Sequence, residues 1–246
     1  QGRGADALVP GLAPPQGLVQ TYFAAGETLG TRMVRANVPA VDATRRFARL
    51  ENGDALPYDR SVVAPGVALR WDAIAGYDET ASHGVPHAWK GGPQTRLLQA
   101  QLAAMRPGGT IVITIPDLPY RCPPGPYERA SLMAAYLRRH NPSGKIILLD
   151  AKTRFSRKAA FHQPWRSPYT GMIEWVSAEQ EGNIDHIDVS RRVVHTEFGR
   201  HAADVLNVIP PQRAGQLAWQ ADLADASGWC PVEPLTFESS RQPGIH

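Results

Sequence analysis

The chain has 246 residues, of which 43% are hydrophobic and 20% charged, as in a globular protein with a substantial buried core. Its 26 basic and 23 acidic residues give a net charge of +3 spread along the sequence, so we see no nucleic-acid footprint. No apolar run approaches the roughly 18 residues of a transmembrane helix, and the start of the chain, QGRGADALVPGLAPPQG, lacks the order of a signal peptide.

The first predicted element is a β-hairpin. RRFARL and ALPYDRSVVAPG flank ENGD, and Asn52-Gly53 favours a tight turn with positive backbone φ at both residues. The second arm runs into Ser61-Val62-Val63-Ala64, an apolar stretch that predicts a short strand buried on both faces. A polar connecting segment from Val67 to about His87 is expected to follow.

A helix is predicted next. Apolar residues recur at helical spacing in PQTRLLQAQLAAM, and Pro107-Gly108-Gly109 ends the pattern. The clearest unit comes directly after it: strand TIVITIP from Thr110, helix YERASLMAAYLRRH, breaker NPSG and strand KIILLD to Asp150. All-apolar strands around a helix predict a parallel βαβ unit. Short strands are then expected around MIEW, RRVVHTEFG and ADVLNVIP.

The turn of this βαβ unit is where a dinucleotide-binding protein would hold a pyrophosphate. That function needs glycines, so that backbone N–H groups can approach the phosphates. Here the turn has one glycine, Gly125, among four prolines, and proline lacks the N–H. Asp150 stands where a ribose-binding acid is often found, but it has no phosphate motif to act with, so the pattern argues against NAD(P) at this turn.

Cys122 lies in the same turn and is the first candidate catalytic residue. It follows Arg121 and precedes the predicted helix, and both the charge and the helix dipole favour a thiolate. That would suit a redox or nucleophilic role, although a packed or disulfide-bonded loop cysteine is an equal alternative. Glu128, in the first helical turn, either stabilises the helix dipole or accepts a proton beside the thiol.

The remaining candidates are weaker. Cys230, in GWCPVE, is expected to be structural, and the two cysteines show no metal-ligand spacing, so we predict no metal site. His83 and His87 are separated by Gly84 and Pro86, which argues against a metal pair, and His186 and His195 are expected to be solvated. PPQRAG, which follows an apolar strand, either brings backbone close to a flat ligand or is a rigid turn.

Several motifs together carry a family resemblance. YDRSVVAPG, PHAWKGG, YRCPPGPYERA, NVIPPQRAG and GWCPVEPLTFESS followed by GIH resemble, in order and wording, the flavoprotein subunit of flavocytochrome c sulfide dehydrogenase. The likeness runs from about Val9 to His246. More distantly, the chain resembles the sulfide:quinone oxidoreductases, which share the two-domain flavoprotein fold.

The resemblance implies an FAD enzyme that oxidises sulfide to sulfane sulfur and passes electrons to a c-type cytochrome subunit, which carries haem c, in the periplasm. Cys122 matches one of two redox-active cysteines that form a disulfide near the flavin; its partner belongs to a C-terminal segment absent here, and Cys230 matches a different position. The candidate cofactor-binding residues are Ala64, Pro65, Gly66, Pro210, Pro211 and Gln212. Whether FAD is held covalently stays open.

The resemblance also implies the fold class and domain plan. The expected fold is α/β, an FAD/NAD(P)-binding Rossmann-like two-domain flavoprotein fold with parallel sheets, incomplete at both ends because the glycine fingerprint and the C-terminal domain are missing. Residues 1–66 and 204–246 would be pieces of the FAD domain, and residues 67–203 an inserted NAD-binding-like domain. The alternatives are a quinone- or NAD(P)H-linked flavoprotein of this fold, or a non-catalytic module that binds a cytochrome.

Overall fold

The structure is a computed structural model that describes residue 9 and residues 30–155, 158–181 and 183–246. The interpretation of the N-terminal stretch as lacking a signal peptide, and most of the first half of the predicted domain 1–66, therefore lie outside the described residues. Within the described ranges, no helix combines the length and the apolar character needed to cross a membrane.

The described residues form short strands and helices in the order of a mixed α/β chain. The strands are β1 (Ala40–Asp42), β2 (Phe47–Arg49), β3 (Ala55–Pro57), β4 (Val67–Leu69), β5 (Thr110–Ile115), β6 (Lys145–Asp150), β7 (Ile173–Ser177), β8 (Ile184–Asp188), β9 (Val193–Thr196), β10 (Arg200–Ala202), β11 (Val205–Val208) and β12 (Gln212–Ala214). The helices are α1 (Pro93–Ala103), α2 (Gly125–His140), α3 (Lys158–Arg166), α4 (Ala178–Glu181) and α5 (Gln216–Gln220).

These elements fall into two compact units. The larger contains Arg70–Pro211, and the smaller contains residues 30–69 and Gln212–His246. The chain passes from one unit to the other at 69/70 and at 211/212, whereas the predicted domain bounds were 66/67 and 203/204. The first bound lies after β4 because β4 pairs with β12 in the smaller unit, and the second lies after β11 because β11 belongs to the parallel sheet of the larger unit. Which unit would bind which cofactor stays a prediction.

A parallel sheet with the order β11-β5-β6-β7 is the centre of the larger unit. It confirms the predicted βαβ unit, with β5 and β6 parallel and Thr110 in register with Lys145. Helix α2 begins at Gly125, two residues earlier than the sequence pattern indicated. The predicted strands around MIEW and ADVLNVIP are confirmed as β7 and β11.

Both faces of this sheet are buried, as parallel sheets require. Ile111, Ile113 and Ile115 pack on one face with the apolar sides of α1 and α2. Val112 and Leu149 point to the opposite face, into a second core cluster. That cluster includes residues of the antiparallel sheet β8-β9-β10, which therefore covers the second face.

The antiparallel sheet corrects one expectation. His186 and His195 are a cross-strand pair whose rings stack with centroids 4.0 Å apart. Each is half-buried rather than fully solvated, because directly opposed side chains in neighbouring strands lie close enough to cover one another.

In the smaller unit, β2 and β3 form the predicted hairpin, extended by β1. The turn is wider than expected: the Leu50 N–H donates to Asp54 O at 2.8 Å, which closes a loop of several residues. Gly53 has φ +92, but Asn52 does not adopt positive φ. The Asn52 amide instead binds Asp54 Oδ2 at 2.8 Å, so this side chain shapes the loop through hydrogen bonding.

The strand predicted at residues 61–64 is reduced to one parallel bridge between Ser61 and Ile245. It is not buried on both faces, since Val62 is 81% exposed. The polar connecting segment that was expected after it starts with a strand, β4, which pairs antiparallel with β12. Residues 61–63 instead hydrogen-bond to the C-terminal residues, with the Val63 N–H donating to His246 O at 2.8 Å.

Candidate functional site

The candidate site is the turn between β5 and α2, which carries Cys122. Cys122 has φ +61, a left-handed conformation that is uncommon for a residue with a Cβ. The Gly125 N–H donates to the Cys122 carbonyl at 2.9 Å, and the Tyr120 hydroxyl donates to Pro123 O at 2.9 Å. These two hydrogen bonds bracket Cys122 and hold its half-buried side chain at the N-terminus of α2.

The same turn leaves little for a phosphate to bind. Besides the Gly125 N–H, the N–H groups of Tyr127 and Glu128 both donate to Pro124 O at 3.1 Å. Pro126 has no N–H. The N-terminal donors of α2 that normally face a pyrophosphate are therefore engaged within the turn, which supports the sequence argument against a dinucleotide here.

Trp89 forms one wall beside the cysteine. A Cβ built on Gly125 would lie 2.8 Å from Trp89 Cη2 and 3.4 Å from Cys122 Sγ, so the indole packs directly on the helix start next to the sulfur. The Tyr120 ring meets the Trp89 ring edge-on, with centroids 6.2 Å apart. Gly125 is thus required by this close approach, since any larger residue would displace the indole or the thiol.

Asp150 ends β6 behind the turn and is buried. Its Oδ1 accepts from Lys152 Nζ at 2.6 Å, and its Oδ2 accepts from the Tyr127 hydroxyl at 2.6 Å and from Trp175 Nε1 at 2.8 Å. Lys152 Nζ also donates to Pro116 O at 3.1 Å, at the beginning of the turn. Both carboxylate oxygens accept hydrogen bonds from protein donors. Asp150 therefore stabilises the turn and is not available to bind a ribose.

The tyrosines of this network stay neutral. Burial, followed by the nearby Asp150 carboxylate, raises the pKa of both Tyr120 and Tyr127 well above the ordinary value. Both hydroxyls therefore remain hydrogen-bond donors over the physiological pH range.

A second buried group fixes the segment that carries Trp89. The Arg129 guanidinium donates to Ala88 O at 2.6 Å, to His87 O at 3.2 Å and to Asn207 Oδ1 at 2.8 Å. The Asn207 amide donates to Pro86 O at 2.7 Å and also to His87 O. Residues 86–89, which we call the Trp89 segment, are thereby attached to α2 and to β11.

The other predicted residues lie as follows. Glu128 is in the first turn of α2 and partly exposed; its catalytic role stays a prediction. Both cysteines are present as thiols, and no disulfide joins Cys122 to Cys230. Cys230 is partly buried against the core of the smaller unit, and burial raises the pKa of its thiol, as suits the structural role predicted for it.

The candidate cofactor-binding residues are divided between the units. Ala64, Pro65 and Gly66 form an exposed loop of the smaller unit, to which Gln212 also belongs, while Pro210 and Pro211 belong to the larger. The Gly215 N–H donates to Gly66 O at 3.0 Å, and a Cβ on Gly215 would lie 2.9 Å from Pro65 O. Gly215 therefore packs closely against this loop, and the role of these six residues in binding a cofactor stays a prediction. Among the described residues, this loop offers no glycine-rich cradle for phosphates.

Sequence reasoning missed Trp89, Lys152 and Arg129. Trp89 lies in the motif PHAWKGG, but nothing local links it to Cys122. Arg129 could have been noticed, because it falls on the apolar face of α2, four residues before Met133. Both side chains are fully buried, and a buried charge requires hydrogen-bonding partners. Within the described ranges, no cluster of three or more His, Cys, Asp or Glu residues is arranged to hold a metal.

The fold defines the general class of protein. The chain aligns over its whole length with the sulfide:quinone oxidoreductase from Aquifex aeolicus, covering 58% of that chain, with a TM-score of 0.79 and 12% identity. A ferredoxin reductase from Rhodopseudomonas palustris aligns with a TM-score of 0.69 and 14% identity, and the alignment covers 100% of this chain and 57% of that one. The predicted fold class is thereby confirmed: this is the FAD/NAD(P)-binding fold of flavoprotein oxidoreductases.

Sequence comparison shows which family of flavoproteins the chain resembles. Residues 95–210 match the family described as sulfide dehydrogenase (flavocytochrome c) flavoprotein chain, central. The mitochondrial sulfide:quinone oxidoreductase of Dictyostelium discoideum is 23% identical over 228 residues, which cover 88% of this chain and 49% of the relative. The mouse protein of the same name is 21% identical over 235 residues, with the same coverage.

These matches confirm the resemblance: the chain is similar to the flavoprotein chain of flavocytochrome c sulfide dehydrogenase and to the sulfide:quinone oxidoreductases. It spans about half the length of the curated relatives it matches. The matched region, residues 95–210, includes the Cys122 turn and most of the network around it.

Proposed function

We propose that this chain forms part of an FAD-dependent oxidoreductase that oxidises sulfide to sulfane sulfur at Cys122 and passes the electrons to a c-type cytochrome subunit in the periplasm. The observation that carries the proposal is the Cys122 turn, where a thiol at a helix N-terminus replaces the phosphate-binding glycines of a dinucleotide fold. The family match over residues 95–210 supports sulfide as the substrate and a cytochrome as the partner.

The environment of Cys122 suits nucleophilic sulfur chemistry. The N-terminus of the 16-residue helix α2 lies three residues after it, and a helix N-terminus stabilises a thiolate. Arg121 adds a neighbouring positive charge, and its guanidinium is fixed by donating to Trp89 O at 2.7 Å. Cys122 also has left-handed backbone (φ +61), a conformation that costs free energy for a residue with a Cβ and that clusters at functional sites.

The chemistry proposed is thiol–disulfide exchange. Hydrosulfide attacks a disulfide to which Cys122 contributes one sulfur and a cysteine outside this chain the other; the S–S bond breaks, a new S–S bond forms to the attacking sulfur, and one cysteine leaves as a thiolate. Transfer of the outer sulfur to a second hydrosulfide leaves both cysteines reduced, and the disulfide would re-form as the two cysteines give up two electrons to the FAD that the family implies. Over the cycle, hydrosulfide loses two electrons and one proton to become sulfane sulfur, and Glu128 is the proposed proton acceptor.

FAD is the cofactor implied by this function. Ala64, Pro65, Gly66, Pro210, Pro211 and Gln212 are the residues proposed to contact it. When bound, FAD supplies the two-electron acceptor for sulfide oxidation and the link to the cytochrome. NAD(P)H is a poor alternative at the Cys122 turn, because the N-terminal donors of α2 and both oxygens of Asp150 are already engaged.

The direct test is Cys122→Ser in the full-length protein. Because the nucleophilic sulfur is lost, sulfide-dependent reduction of cytochrome c should fall on the order of a hundredfold or more, with FAD content unchanged. Cys230→Ser is the matched control and should keep wild-type turnover. Normal turnover by a flavin-replete Cys122→Ser protein would contradict the proposal.

A further inference from the structure

A cleft of the larger unit is lined by residues of helix α3 and strand β7. Its volume is about 370 Å³, within the range of roughly 300–1,000 Å³ that small-molecule sites occupy. His162, Trp165 and Arg166 line it from α3, and Ile173 and Trp175 line it from β7. A space near the lower end of that range suits a ligand of one or two fused rings.

Two indole rings of this lining are held in place by hydrogen bonds to neighbouring elements. Trp165 Nε1 donates to Ser131 Oγ at 2.9 Å, and Trp175 Nε1 donates to Asp150 Oδ2 at 2.8 Å. Phe155 packs with both, its ring centroid 6.3 Å from that of Trp165 and 5.4 Å from that of Trp175. Rings that are already ordered can contact another planar ring without a further loss of side-chain entropy.

His162 is close to both indoles and carries an unpaired polar atom. Its ring centroid lies 5.4 Å from that of Trp165 and 6.1 Å from that of Trp175. Its Nε2 is buried and has no hydrogen-bond partner among the residues that the structure describes. Burial, followed by the charges of Lys158 and Arg166, lowers the pKa of His162, so the ring is neutral and Nε2 can make one hydrogen bond. Because buried polar atoms are nearly always paired, a bound ligand would supply the missing partner.

The charge around the cleft is positive. Arg166 lines it, and none of the described residues that line it is Asp or Glu. Lys158 Nζ lies 3.8 Å from the centroid of the Trp175 ring. Glu174 falls between the two β7 residues of the lining, and the alternation of a strand turns it to the opposite face. The cleft therefore favours an anionic group, which a guanidinium can bind through paired hydrogen bonds.

We propose that this cleft binds a planar aromatic anion, with its ring against the two indoles, its charge on Arg166 and a polar atom on His162 Nε2. Neither Cys122 nor FAD takes part in this binding, so the site goes beyond the proposed function and can be tested without turnover. Failure of sulfide oxidation would refute the proposed function and leave this site in place.

The test is isothermal titration calorimetry of the flavin-loaded full-length protein with three probes. Naphthalene-2-sulfonate has fused rings and a charge, naphthalene-2-sulfonamide has the same rings without the charge, and methanesulfonate has the charge without the rings. We expect a single site for the sulfonate on each chain and about tenfold weaker binding of the sulfonamide, because hydrogen bonds to a charged group are the stronger ones. Methanesulfonate should show no measurable binding.

Two variants locate the bound probe. Arg166→Met removes the charge at an exposed position, so the sulfonate should bind about tenfold more weakly and the sulfonamide as in the wild type. His162→Leu removes Nε2 and keeps an apolar side chain, so both ring probes should bind about fivefold more weakly. Arg96→Met, which removes an exposed positive charge from α1, is the control and should bind both probes as the wild type does.

Three results would overturn the proposal. The first is no binding of naphthalene-2-sulfonate by the wild type at millimolar concentration. The second is wild-type affinity for the sulfonate in both Arg166→Met and His162→Leu, which would place the bound probe elsewhere on the protein. The third is an affinity that falls as the protein concentration rises, which would show that a second copy of the chain fills the cleft instead.

Discussion

His87 shows how one residue makes the Trp89 segment sensitive to pH. It is buried, and its Nδ1 accepts the Trp89 backbone N–H at 2.9 Å, which requires the neutral imidazole. Burial, followed by the charges of Lys90 and Arg129, lowers its pKa to about 4. Since an exposed histidine titrates near 6.5, the unfolded chain binds the additional proton between these two values.

Stability should therefore fall as pH falls from about 6.5 to about 4, by up to roughly 3 kcal/mol from this group alone. His87→Asn should flatten the profile in this window, because the Asn side chain can accept the Trp89 N–H at any of these pH values. The measurement is the free energy of unfolding in urea at steps between pH 4 and 7. Parallel wild-type and His87→Asn curves would show that His87 does not titrate as described.

At the scale of elements, the buried Arg129 links three segments that are distant in sequence. From α2 it reaches the carbonyl oxygens of the Trp89 segment and the Asn207 side chain on β11. Asn207 is itself fully buried and binds the same segment. The loop beside the site is thereby attached to a helix and to a fully buried strand of the larger unit.

Arg129→Met should test this link. The substitution keeps an unbranched apolar chain but leaves the buried Ala88 carbonyl and Asn207 Oδ1 without their donor, so the free energy of unfolding should drop by about 3 kcal/mol. Arg96→Met, an exposed position on α1, is the control and should change stability by less than about 0.5 kcal/mol. Equal losses in urea unfolding for the two variants would mean that Arg129 is not a structural link.

The strands of the parallel sheet were the easiest elements to predict, because they are largely buried. β5, β6 and β11 read as apolar runs because both sides of the sheet are covered. β8 and β10 were missed because IDHID and RHA alternate polar residues on an exposed face. Helix α3 was missed because Pro164 interrupts its pattern. The local pattern of apolar and polar residues predicts whether a segment is buried. It does not predict which other strand the segment pairs with.

The candidate site divides in the same way. Cys122 could be found from its motif, since the thiol, the prolines and the helix start are contiguous in sequence. Trp89 could not, and Arg129 gave only the signal of a charge on an apolar helix face, because their partners lie more than thirty positions away in the sequence, such as Ala88 for Arg129 and Arg121 for Trp89. Lys152 stands two residues after Asp150, but only the fold reveals that the pair is buried behind the Cys122 turn.

For the whole molecule, we expect a flavoprotein whose electrons come from sulfide and enter through Cys122, as proposed above. The most direct measurement is an anaerobic titration of the flavin-loaded full-length protein, followed by flavin absorbance, with sulfide and with NADH as separate donors. We expect sulfide to bleach the wild-type flavin, NADH to leave it oxidised, and sulfide to leave Cys122→Ser oxidised. Bleaching by NADH but not by sulfide, or equal bleaching of Cys122→Ser by sulfide, would contradict the account.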